Sequence, residues 1–227
     1  MINIGGTTAT TLNLGRTGQT QALLGNVTVA GTSGSVLTST GTDWTSQAAG
    51  GGSHAVLDKN TTTVTVTNSF TETTLYTVSV PANTLGTNKM LRVTMGGTYL
   101  NNSGATKSMV VSIKYGATTL YSDTSAALFS GTALRGWRLE FILAANAATN
   151  AQKLIGSFGM SHGGATTTGT GDSNVMIGDN DGSYGLLYGT SAIDSTVAQT
   201  LLVTVTHNAS DVNTTITRYT VITELIQ

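Results

Sequence analysis

Three histidines, His54, His162 and His207, and eleven acidic residues carry most of the acid–base and metal-binding chemistry this sequence offers. The histidines are far apart, and none has the HExxH spacing that places two imidazoles on one helix face for zinc. His207 extends the alternating run Leu201, Val203, Val205, which marks a structural or surface position on a strand. The densest acidic cluster is Asp172, Asp179 and Asp181, the last two within GDNDG, Gly178 to Gly182. With Gly182 at the sixth position of an EF-hand loop, Ile177 and Tyr188 would fill the first and twelfth, where carboxylates belong. That match fails. Two readings remain for Asp179 and Asp181: ligands of a looser Ca²⁺ site between loops, or turn formers that bond their own backbone.

Other chemistry is not supported by spacing. There is no GxxxxGK[ST] phosphate loop, no GxSxG elbow and no Ser-x-x-Lys pair. The acidic residues sit mostly beside turn signals and offer no pair suited to glycoside hydrolysis. The expectation is a protein without enzymatic activity or cofactor. Tyr184 and Tyr188 stand among glycines in GSYGLLYG. They fit either a loop platform for a sugar or an edge strand packed into an oligomer interface, a setting that favours Tyr.

The elements that must position these residues are strands. Charged residues make up 9% of the chain, against about 25% in an average soluble protein. Thr accounts for about one residue in five, and its β-branched side chain favours strands over helices. Hydrophobic residues reach 39%, enough for a core. Ten basic residues, scattered and balanced to a net charge of -1, argue against a nucleic-acid partner. The absence of cysteine excludes disulfides, thiolate metal sites and a Cys nucleophile. The first residues lack the basic and apolar regions of a secretory signal, and no apolar run reaches membrane-spanning length, so membrane insertion is not expected.

Period-two alternation recurs from residue 63 onward. It appears in Tyr76, Val78 and Val80; in Leu91, Val93 and Met95; and in Met109, Val111, Ile113 and Tyr115. Trp137, Leu139, Phe141 and Leu143 form the strongest stripe, and Tyr219, Val221 and Leu225 share one parity near the C-terminus. AANAATNA, residues 144–151, reads as a helical turn or a loop. Many short strands separated by Gly, Asn and Asp turns predict an all-β fold, a jelly-roll β-sandwich over residues 54–227. Gly50, Gly51 and Gly52 mark a boundary. Residues 1–53 form an extended arm or stem in this reading. Ile2-Asn3-Ile4-Gly5 is echoed by Leu12-Asn13-Leu14-Gly15 and by Gly25-Asn26-Val27-Thr28-Val29. Strands this short bury too little alone, so copies from several chains would wrap together, the other reading being a flexible tail. Leu12, Leu14, Leu24, Val27, Val29, Val36, Leu37 and Trp44 are the candidate stem residues. Trp44 would close a collar just before the glycines let each chain bend away.

The segment GTSGSVLTSTGTDW, residues 31–44, resembles a stretch common in bacteriophage tail fibres and related virion projections, between a trimeric stem and a distal domain. LNLGRTG and LGNVTV upstream are similar to stem repeats of such fibres. TLYTVSVPANTLGTNKMLRVTMGGTYLNNSGA and RGWRLEFILA have the general character of phage jelly-roll heads. The resemblance implies a homotrimer assembled in the host cytoplasm and displayed on the virion surface, in contact with capsid or tail proteins. It implies a capsid decoration or cement protein or a short fibre, or alternatively a tail-fibre tip that binds host surface glycans. It carries over no catalytic residue.

Overall fold

The computed structural model describes residues 35–39, 44–48, 54–67, 69–125, 127–160, 175–177, 185–208 and 210–227. The chain divides into two compact units, Met1–Gly50 and Gly51–Gln227. In the first, β1 (Ser35–Ser39) pairs antiparallel with β2 (Trp44–Ala48), with Ser39 opposite Trp44. β1 and β2 thus lie side by side as an antiparallel pair before the glycines. Leu12, Leu14, Leu24, Val27 and Val29 lie outside the described residues, as do the side chains of Val36, Leu37 and Trp44.

In the second unit every described element is a strand, and the order of the strands fixes the fold. One sheet is built on β3 (His54–Asn60) and β4 (Val64–Thr67), which both pair with β14 (Thr214–Ile226). It continues through β6 (Met90–Asn101) and β9 (Arg135–Ala148) to β10 (Ala151–Met160). Beyond β10, its edge is shared by β11 (Val175–Ile177) and β12 (Leu186–Ser191). The other sheet has the order β5 (Thr73–Val80), β13 (Gln199–His207), β7 (Met109–Tyr115), β8 (Thr118–Thr124). The orders β4-β14-β6-β9 and β5-β13-β7-β8 are those of an eight-stranded jelly roll. The strands β10, β11 and β12 are an insertion that widens the first sheet. The expected all-β jelly-roll sandwich is therefore the observed one.

Alternation places the core. In β9, Arg135, Trp137, Leu139, Phe141 and Leu143 point inward, while Gly136 and Arg138 face out. Leu91, Val93 and Met95 join them from β6, and Met109, Val111, Ile113, Leu201, Val203 and Val205 from the facing sheet. Each large apolar side chain so buried contributes roughly 1.5–3 kcal/mol. Trp137 stacks on Phe158 at 5.9 Å, and its indole N–H donates to the Thr98 and Thr217 carbonyls, both at 3.2 Å.

Two local readings change. AANAATNA is strand except for a turn at Thr149 and Asn150: β9 runs through Ala148 and β10 starts at Ala151, with a bulge where Ala151 pairs with Ala148 and Gln152 with Ala145. Pairing with β10, and with β6 at Ala144, overrides the helical preference of alanine. Tyr219 does not share the inward face of Val221. The register slips between Arg218 and Thr220, Tyr219 turns outward, and Ile216 and Val221 both stay buried despite opposite parity. Opposite this bulge is Gly97, where any Cβ would overlap the Thr217 carbonyl.

The lateral seams are closed. At one side β4 lies against β5, and at the other β12 lies against β8. Register gives the sandwich two distinct ends. His54 sits opposite Ile226 at the base. The connections β4–β5, β6–β7, β8–β9 and β13–β14 all cross between sheets at the far end. Backbone hydrogen bonds tie these loops together: His207 N–H to Ser69 O, Asn102 N–H to Asn213 O, Lys107 N–H to Leu128 O and Gly131 N–H to Asn101 O.

Candidate functional site

The outer faces of the two sheets differ in chemistry. Across the four-stranded sheet runs a row of hydroxyls, Thr74–Thr204–Ser112–Ser122, each residue opposite the next. Ser112 and Ser122 share a 2.8 Å hydrogen bond. Thr204 donates to one Glu72 oxygen and Lys114 to the other, both at 2.6 Å. Those two hydrogen bonds, Lys114's foremost, hold the Glu72 carboxyl below the usual carboxylate range. In this row Thr74 and Ser122 are exposed, and Thr204 and Ser112 are buried with their hydroxyls already bonded.

On the wide sheet the corresponding row is Tyr188–Ile155–Ile142–Arg92–Glu224–Val56. Its centre is an ion pair, with Arg92 Nε 2.9 Å from Glu224 Oε2. Its β12 end is apolar. Tyr188 is 64% exposed, Ile155 62% and the neighbouring Leu186 64%. Lys153 lies toward the base from this patch, and the paired Arg138 and Glu140 toward the loops. Tyr188 thus stands on an edge strand, not on a loop. It lies beside Gly189, a residue that must be glycine because a Cβ would overlap the Leu120 carbonyl across the seam. Ile155 and Ile142 were not legible as partners of Tyr188, because they meet it only through strand pairing. Tyr184, Asp179 and Asp181 lie outside the described residues, as do Asp172 and His162.

The loop end carries a second group of exposed apolar residues: Phe70 from β4–β5, Phe129 and Leu134 from β8–β9, and Val212 from β13–β14. Beneath it His207 is buried and stacks on Tyr99 at 6.5 Å. Burial alone pushes the imidazole pKa down. Tyr99 and Tyr115 are core residues and offer no surface to a sugar.

Every described carboxylate is engaged. Asp58 accepts from Tyr76 at 2.8 Å, Asp123 from the Thr124 backbone at 2.7 Å, Asp194 from Thr196 at 2.7 Å, and Asp211 from the Asn213 backbone at 2.9 Å. Glu72, Glu140 and Glu224 are in ion pairs. Among the described residues no three His, Asp or Glu side chains converge as metal ligands.

No family model and no curated protein matches the chain. Among solved structures it is similar to the CBM2 module of the evolved Dit of Lactobacillus casei BL23 phage J-1, at 10% identity over 75% of this chain and 95% of that one, with a TM-score of 0.31. It is also similar to a structure of infectious bursal disease virus, Gx strain, at 11% identity over 84% of this chain and 46% of that one, with a TM-score of 0.25. Both likenesses are loose, so the jelly-roll assignment rests on strand order.

Proposed function

We propose that this chain is a non-enzymatic structural protein of a bacteriophage virion, a homotrimeric surface projection of the capsid-decoration or short-fibre kind. The observation that carries the reading is the polarity of the jelly roll. The chain comes into the sandwich at the base, at His54 beside Ile226, and the four inter-sheet loops gather at the opposite end. A domain whose incoming chain and loop cluster lie at opposite ends suits display from a stem. The virion-like segment before Gly50 supplies that stem, with Leu12, Leu14, Leu24, Val27, Val29, Val36 and Leu37 as its apolar positions and Trp44 as its collar. The described carboxylates, all committed to structural partners, fit a role without catalysis.

A receptor-binding tip is the second reading, and Phe70, Phe129, Leu134 and Val212 at the loop end favour it. In that role the loop end, rather than Tyr188, would meet a host surface glycan. Immunogold electron microscopy of purified particles tests the main reading. Label on the particle surface is expected; particles free of label would overturn it.

A further inference from the structure

We infer that the Tyr188–Ile155–Ile142 face of β12, β10 and β9 is an interface between copies of this chain. The inference rests on the trimeric-stem reading and names the partner of its jelly roll. The contrast between the two sheets comes first. The central row on the four-stranded sheet is hydroxyls, exposed at Thr74 and Ser122, whereas this part of the wide sheet turns out Tyr188, Ile155 and Leu186 with Ile142 half-buried between strands. The patch has the build of a contact surface: an apolar centre with charges kept to its rim, here Lys153 on one side and Arg138–Glu140 on the other.

Its size selects the occupant. Three strands about 4.8 Å apart, over about six residues of about 3.4 Å each, cover on the order of 300 Å². A free-standing interface needs about 800 Å² per partner. A foreign protein arriving from solution would therefore hold this patch only weakly. A second copy joined through its own N-terminal segment arrives at roughly millimolar effective concentration, and at that concentration a small apolar contact suffices. In a cyclic assembly each such contact joins two different faces of neighbouring copies. The patch is then one half of a contact repeated around the ring.

The chain has no cysteine, so single thiols report without background. The full chain is made as Ile155→Cys, Tyr188→Cys and, as a loop-end control, Val212→Cys, where the native side chain is 70% exposed. Native mass is measured for each, and then the rate of alkylation by a small maleimide. The expected result is an assembled mass for all three, with the thiols at 155 and 188 reacting at least about tenfold more slowly than that at 212, because access governs thiol reactivity. The two slow rates should rise in denaturant to the value that the thiol at 212 shows there. An assembled mass with 155 and 188 as reactive as 212 overturns the interface and leaves the stem reading standing. A monomeric mass overturns the stem reading, and the inference with it.

Discussion

The Tyr76 phenol donates a 2.8 Å hydrogen bond to Asp58 and accepts one of 2.7 Å from Thr223. It thereby joins β5 of one sheet to β3 and β14 of the other. The Arg218 guanidinium lies 5.5 Å over its ring and donates to the Thr62 carbonyl at 2.7 Å. Burial, chiefly, raises the Tyr76 pKa, so the phenol keeps its proton and its donor role. The first strand after the triglycine is fastened by this polar tie as well as by pairing. Tyr76→Phe leaves Asp58 without its donor, a change that costs about 1–3 kcal/mol. In a domain of this size that corresponds to a drop of roughly 3–10 °C in Tm. Scanning calorimetry checks it, and an unchanged Tm would remove the tie from the account.

The seam between β12 and β8 depends on the missing side chain of Gly189. Backbone atoms of Leu120 occupy the space a Cβ would need. Gly189→Ala must push the strands apart and is expected to destabilise the fold by more than about 2 kcal/mol, within the range for overpacking. Gly131→Ala, at a site with nothing near the added methyl, is the control and should change little. Urea unfolding of both variants decides the comparison. Equal midpoints would mean that the seam yields freely.

Stability should fall as pH drops through His207's range. Its buried imidazole stacks on Tyr99, its backbone N–H donates to the Ser69 carbonyl, Met109 pairs opposite it, and Arg135 is the cationic residue opposite Tyr99. Among the described residues no carboxylate bonds to either ring nitrogen. Its folded pKa lies below the ordinary 6.5, so the unfolded chain binds the proton more readily. The contribution is therefore fully present above about pH 6.5 and is lost as pH falls toward the folded pKa. Urea midpoints at pH 7.5 and pH 5.5 should differ for the native chain and differ less for His207→Phe. The same pH response in both would assign the effect to other groups.

Trp44 has a large apolar surface and stands opposite Ser39 in the β1–β2 pair. If it closes a collar between chains, Trp44→Ala lowers the melting temperature of the assembly, while Trp44→Phe, which keeps most of the apolar area, lowers it less. Thermal scans of the full chain compare the two. An alanine variant as heat-stable as the native chain would remove the collar.

The longer core strands were legible because their own alternation marks them, as Trp137, Leu139, Phe141 and Leu143 demonstrate. Their number and turn chemistry led to the jelly roll. What escaped depends on partners distant in sequence. Tyr219 carries the parity of Val221, yet a bulge opposite Gly96 and Gly97 turns it outward. The alanines of residues 144–151 show no strand pattern of their own and extend β9 only because flanking strands pair with them. Tyr188 was visible as a candidate, but the patch it belongs to was not. Ile155 and Ile142 join it through two strand pairings that no local rule specifies.

The central claim is an assembly of three chains, and the native mass of the 227-residue chain in solution tests it most directly. The account predicts a single species of three 23.2 kDa chains, stable on dilution. A monomer at the same concentration would contradict it.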